Sequence, residues 1–131
     1  MSANKLDIKN MNPQALAFVG DAVHTLYIRE HVVNKFAGKP NDLHAISTKY
    51  IKASGQSDMV DKLLPLLDDD ELDVFRRARN YKTNNIAKNA KVSDYKRATG
   101  LEAVVGYIYL CGDKERLDFI LKNIVGEINE D

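Results

Sequence analysis

Apolar residues along this 131-residue chain recur at intervals of three and four, and no stretch sustains the alternation of a strand, so the pattern is helical throughout. Asn12 and Pro13 form a helix-start signal, a capping side chain followed by proline at the first helical position. Behind them Leu16, Val19, Val23, Leu26 and Tyr27 share helical spacing, which predicts a helix to about Phe36, ending before Gly38 and Pro40. Pro40-Asn41-Asp42 opens a second helix carrying Leu43, Ile46, Tyr50 and Ile51, interrupted at Ser54-Gly55. A short third helix holds Met59, Val60, Leu63 and Leu64. The acids Asp68, Asp69, Asp70 and Glu71 suit the N-terminus of a fourth, where the macrodipole favours negative charge, ahead of Leu72, Val74 and Phe75. Apolar residues are sparse from Asn80 to Val92, which reads as a polar loop or a poorly packed turn. Ser93 then caps a long helix running to Cys111, with Gly112 as its stop. A last helix spans about Lys114 to Asn129, with Leu117, Ile120, Leu121, Ile124 and Ile128 on one face. The expected fold class is all-α, one domain over residues 1–131 built as a bundle of about six to seven helices. Residues 1–10 are expected to be a flexible N-terminal segment.

Composition narrows this picture. A hydrophobic content of 44% supports one packed core, and nineteen basic residues cancel nineteen acidic ones, so net charge is silent about partners. The single cysteine, Cys111, excludes an internal disulfide framework and a multi-cysteine zinc site, and lies in an apolar run where it reads as a core thiol. The N-terminus lacks the apolar stretch of a signal peptide, and the longest apolar run, Ala103 to Cys111, is too short to span a bilayer. The expectation is a soluble cytoplasmic protein without a membrane partner.

Two carboxylates stand where charges are otherwise absent. Asp21 is the only formally charged residue between Pro13 and Ile28, and Glu102 the only one between Ala98 and Gly112. An unpaired carboxylate in such surroundings is costly and must take up a proton or find a cation. Small residues flank both (Gly20 and Ala22, Ala103 and Gly106), which permits close helix approach. Two carboxylates converging from separate helices would form a hard-oxygen site for Mg²⁺ or Mn²⁺. Either acid could instead be a hydrogen-bonded core residue or lie at the solvent edge. His24, three residues after Asp21, is either within reach of such a site or a partly buried structural residue.

Charge is unevenly distributed. Between Arg76 and Arg97 lie eight basic residues and one acid, Asp94, an excess of seven that the rest of the chain balances. Arg77, Arg79, Asn80, Lys82, Lys88 and Asn89 intersperse cations with amides, which suits the phosphate and 2′-hydroxyl contacts through which A-form RNA is recognised. A solvated charged face is the alternative. The segment leads directly into the helix bearing Glu102.

The stretch Ala15-Leu-Ala-Phe-Val-Gly-Asp-Ala-Val23 resembles the signature of the ribonuclease III family, and Leu101-Glu102-Ala103-Val104-Val105-Gly106-Tyr107 resembles that family's second, glutamate-bearing helix. The segments Lys39-Pro40-Asn41-Asp42-Leu43-His44 and Arg77-Ala78-Arg79-Asn80-Tyr81-Lys82-Thr83 are similar to the compact Mini-III branch, which has no separate double-stranded-RNA-binding domain. Resemblance extends from about Asn12 to Leu117. Two positions depart from full-length enzymes: Ala17 and Thr99 stand where those carry a glutamate and an aspartate. Ala78 and Tyr81 also replace smaller residues of the branch.

The resemblance implies an Mg²⁺-dependent endoribonuclease (Mn²⁺ may substitute) in which Asp21 and Glu102 are the catalytic, metal-holding residues. It further implies cleavage of double-stranded or structured RNA to 5′-phosphate and 3′-hydroxyl ends, maturation of a large-subunit (23S) ribosomal RNA precursor, and a homodimer with one active site per strand. The first helix, apolar on more than one side near Phe18, Tyr27 and Ile28, is the expected dimer face. The leading rival is a module that holds structured RNA without cutting it, which Ala17 and Thr99 favour and the retained Asp21 and Glu102 oppose. A helical phosphohydrolase acting on a small nucleotide needs more histidines and aspartates at its metal than three scattered histidines supply. A purely structural protein leaves both isolated carboxylates unexplained.

Overall fold

The computed structural model describes residues 4–36, 40–54, 57–81 and 92–126. Among them the chain forms seven α-helices and one 3₁₀ turn: α1 (Lys5–Lys9), α2 (Pro13–Phe36), α3 (Pro40–Ser54), α4 (Ser57–Leu63), the turn Leu64–Leu66, α5 (Asp69–Asn80), α6 (Val92–Cys111) and α7 (Lys114–Val125). The all-α expectation holds, and no described residue is in a strand.

α6 is the central helix. Leu101, Ala103, Val104, Val105, Tyr107 and Ile108 are all buried, and a helix apolar around its circumference belongs inside a bundle. α2 and α5 pack against it most extensively, and α7 also touches it. α2 begins as its start signal demands: Asn12 Oδ1 accepts from the Gln14 amide at 2.8 Å and Pro13 follows as the first helical residue. Leu16, Ile28 and Val32 then face the core.

The acidic start of α5 is a capping box. Asp68 Oδ1 accepts from the Glu71 amide at 2.8 Å, and the Asp68 amide donates to Glu71 Oε1 at 2.9 Å. Glu71 is 2% exposed, and Arg116 on α7 meets it with two donors, Nε to Oε2 at 2.9 Å and Nη2 to Oε1 at 2.6 Å. A buried carboxylate left unpaired costs several kcal/mol. Here three donors remove that cost and bolt α7 to the start of α5.

Several boundaries differ from the sequence reading. Residues 5–9, expected to be part of a flexible segment, form α1. Asn4 caps it, Ile8 is buried, and Lys9 Nζ reaches Asp70 at 3.0 Å. α6 starts at Val92, so Ser93 lies inside its first turn rather than before it. α6 does end at Cys111, with Gly112 at a left-handed φ of 78° as its stop, as expected. α7 ends at Val125, not near Asn129, because Gly126 takes a left-handed φ of 72° that closes the helix. Ile128 and the rest of 127–131 lie outside the described residues.

Candidate active site at the crossing of α2 and α6

The two helices that carry the isolated carboxylates are the two that touch most closely, and glycine is the reason. A methyl group built on Gly20 would overlap the carbonyl oxygen of Glu102 and stand 2.6 Å from its carbonyl carbon. One built on Gly106 would overlap the carbonyl oxygen of Leu16 and stand 2.9 Å from that carbonyl carbon. Backbone therefore rests on backbone at this crossing, and each contact glycine is paired with the carboxylate helix opposite it. Asp21 follows Gly20 directly, so the crossing sets Asp21 and Glu102 on one cleft.

That cleft, of about 60 Å³, is lined by Asp21 and His24 of α2, Ile51 and Ser54 of α3, Ala98, Leu101, Glu102 and Val105 of α6, and Ile124 of α7. Asp21 is exposed and Glu102 half-buried. Among the described residues neither takes a hydrogen bond or an ion pair. Burial pushes the Glu102 carboxyl up to about 7, and the negative charge of Asp21 adds to the shift. An apolar-walled cleft holding two mutually repelling carboxylates, with no cation among the described residues paired to them, has the donor chemistry of a hard divalent-ion site. His24 lines the same cleft but makes no metal-holding group of three with them among the described residues, so such an ion would draw its other ligands from water and substrate.

This arrangement makes a measurable trade. A carboxyl raised from 4.5 to about 7 contributes stability that is fully present below pH 4.5 and lost as pH rises through about 7. Glu102→Gln is therefore expected to stabilise the metal-free protein at pH 8 by ~1–2 kcal/mol, after allowance for solvent screening, with little effect at pH 4.5. Thermal unfolding in EDTA at the two pH values checks this.

The positions where the chain departs from the longer enzymes supply no further acid. Ala17 is buried, and Thr99 donates its hydroxyl to the Tyr95 carbonyl one turn back at 3.0 Å.

The basic residues divide. Arg79 is half-buried, stacks its guanidinium over the Phe75 ring and donates to Asn80 Oδ1 at 3.2 Å, while Asn80 is exposed. Arg77, expected among the RNA contacts, is half-buried and commits two donors to the fold. Its guanidinium donates to the carbonyls of Lys9 and, at 3.1 Å, Met11, tying the end of α1 to α5. Lys82, Lys88 and Asn89 lie outside the described residues. Ser54, which reads in the sequence only as a helix interruption, lines the cleft and bonds His24 at 2.7 Å.

A second surface lies beside the cleft. Phe18 is 81% exposed and, with Val23, Leu26, Tyr27, Tyr109 and Leu117, lines an open apolar groove of about 460 Å³. Ile28, expected with Phe18 and Tyr27 on an outward face, is instead fully buried, because it falls on the side of α2 that packs into the core.

Comparison with known proteins agrees with this geometry. The family described as Ribonuclease III domain matches residues 14–113, a span that includes both carboxylates. The chain is 41% identical over 127 residues to the Mini-ribonuclease 3 of Clostridium tetani, covering 96% of this chain and 84% of that protein. It is 40% identical over 129 residues to the Mini-ribonuclease 3 of Enterococcus faecalis, covering 95% and 98%. A crystal structure of a protein from Fusobacterium nucleatum superposes with a TM-score of 0.77 at 31% identity, covering 91% of this chain and 95% of that one. The family and these relatives define the class: an endoribonuclease acting on RNA. The chain belongs to the ribonuclease III family, in its Mini-ribonuclease 3 branch. No helix among the described residues is long and apolar enough to cross a membrane.

Proposed function

We propose that the chain is an Mg²⁺-dependent endoribonuclease that cuts double-stranded or structured RNA as a homodimer, with a large-subunit (23S) ribosomal RNA precursor as its natural substrate. The observation that carries this reading is the pair Asp21 and Glu102, brought to one cleft by backbone contact and, among the described residues, left without a cation. Asp21 and Glu102 would hold Mg²⁺ or Mn²⁺, which when bound supplies an activated water and charge stabilisation at the scissile phosphate, giving 5′-phosphate and 3′-hydroxyl ends. Asp21, at the exposed edge, would face incoming RNA, while Glu102 sits deeper in the cleft. Arg79 and Asn80, at the end of α5, are candidates for positioning the RNA backbone, and Lys82, Lys88 and Asn89 continue the same basic segment.

The ribosomal precursor is supported by the Mini-ribonuclease 3 relatives alone. The homodimer is supported by the apolar groove. An 81%-exposed phenylalanine beside a groove of this size is an open apolar surface, and a second copy related by a two-fold axis would cover it.

Incubation with long double-stranded RNA tests the activity: cleavage with Mg²⁺, none with EDTA, and none of a single-stranded RNA without structure. Binding without cleavage would instead identify an RNA-holding module. Phe18→Glu tests the dimer. It is expected to convert the protein to monomer in sedimentation velocity at micromolar concentration, with its helical content retained. An unchanged sedimentation coefficient would place any interface elsewhere.

A further inference from the structure

The cleft that holds Asp21 and Glu102 is also lined by His24 and Ser54, two buried polar residues that the proposed reaction does not use. Ser54 is the last residue of α3. Its Oγ lies 2.7 Å from His24 Nε2, 2.9 Å from the Tyr50 carbonyl oxygen and 3.0 Å from the Ile51 carbonyl oxygen. A hydroxyl has one proton to give, and these three neighbours compete for it. Ile51 is among the last four carbonyls of α3, which have no amide donor within the helix. The Ser54 proton therefore goes back to the end of its own helix. The Oγ lone pair is then what faces His24, and a 2.7 Å contact to it requires a proton on Nε2. At pH 8, above the ordinary imidazole range, the ring is neutral and carries one proton only.

We propose that Ser54 holds His24 in the Nε2–H tautomer, so that the ring offers no N–H to Asp21 or Glu102 and braces the Asp21 turn of α2 against the end of α3. His24 and Ser54 are thus positioning residues that keep both carboxylates free for a divalent ion. An imidazole N–H turned toward Asp21 would make a charge-assisted hydrogen bond and compete with that ion. Ser54 removes the competitor by occupying the only proton the ring has. The inference rests on Asp21 and Glu102 being the ion-holding pair.

Two measurements on the full chain test it. In the metal-free protein, long-range ¹H–¹⁵N correlation spectra should assign His24 to the Nε2–H form at pH 8. Ser54→Thr should preserve that form, and Ser54→Ala should lose it. An Nδ1–H ring in the wild type overturns the inference, whatever the activity. In cleavage of long double-stranded RNA, Ser54→Ala should raise the Mg²⁺ concentration for half-maximal rate about tenfold. The rate at saturating Mg²⁺ should stay within about twofold, and Ser54→Thr and His24→Gln, which keep a hydroxyl and an N–H donor, should stay close to wild type. An unchanged Mg²⁺ dependence in Ser54→Ala overturns it. Asp21→Asn separates the two readings. If it cleaves like wild type, the ion-holding pair is misassigned and the inference falls with it. If it is inactive while Ser54→Ala matches wild type, only the role of Ser54 falls. Should Ser54→Ala fail to fold, the wild-type tautomer decides.

Discussion

Asp21→Asn is expected to lower the rate of double-stranded RNA cleavage by roughly a thousandfold while leaving the fold intact. The two halves of this result have separate causes. Asp21 is exposed and, among the described residues, makes no hydrogen bond or ion pair, so nothing in the fold depends on its charge. Its amide isostere fills the same space, and the melting temperature should stay within about 2 °C, or rise, because a repulsion with Glu102 is removed. On the proposed reading the chemistry does depend on that charge. With only two acids in the cleft among the described residues, removing one halves the negative charge they offer an ion and leaves no neighbouring carboxylate among them to replace it. Side-by-side single-turnover cleavage and thermal unfolding test both halves. A variant that retains cleavage would move the reaction to another part of the molecule. One that unfolds would show that Asp21 has a structural role.

The largest expected loss of stability comes from a single methyl group. Gly20→Ala places a Cβ inside the carbonyl of Glu102 and 2.9 Å from the amide nitrogen of Gly106. Both are backbone atoms of a buried helix, so no side-chain rotation relieves the overlap, and α2 must move away from α6. Overpacking in a well-filled core commonly costs ~1–3 kcal/mol, and a clash with backbone at the principal helix contact lies at or beyond the top of that range. Urea unfolding is expected to show a loss of ~3 kcal/mol or more, with cleavage lost in whatever fraction remains folded, since the two carboxylates part with the helices. A change below ~1 kcal/mol would mean that the helices do not rest on each other here.

Much of this was legible in the sequence where the signal is local. Asn12-Pro13, the Asp68–Glu71 box and Gly112 each announce a helix end within four residues, and those ends lie where they announce. The carboxylate pair was legible because charge is absent around Asp21 and Glu102 for a full helical turn on either side. What escaped depends on partners far away in the chain. α1 has only Leu6 and Ile8 as apolar residues in five, and its place is secured by Asp70 and Arg77, more than sixty residues on. Arg77 was grouped with the RNA contacts because its charge is visible in the sequence and the carbonyls that claim it are not. Ser54 looked like punctuation, and its bond to His24 exists only once α3 lies against α2. Ile28 went to the wrong side because a helix apolar over so wide an arc does not declare where its core face ends.

That width has a cost in freedom to vary. Along α2, Leu16, Ile28 and Val32 fill the core, Gly20 admits the neighbouring backbone, Asp21 and His24 line the cleft, and Phe18, Leu26 and Tyr27 face the groove. One helix thus serves the interior, the chemistry and an outer surface at once. Hardly a position remains between Leu16 and Ile28 at which a change would be silent, so the protein can drift or be re-engineered far more readily in α3 or on the outer side of α7 than along this one helix.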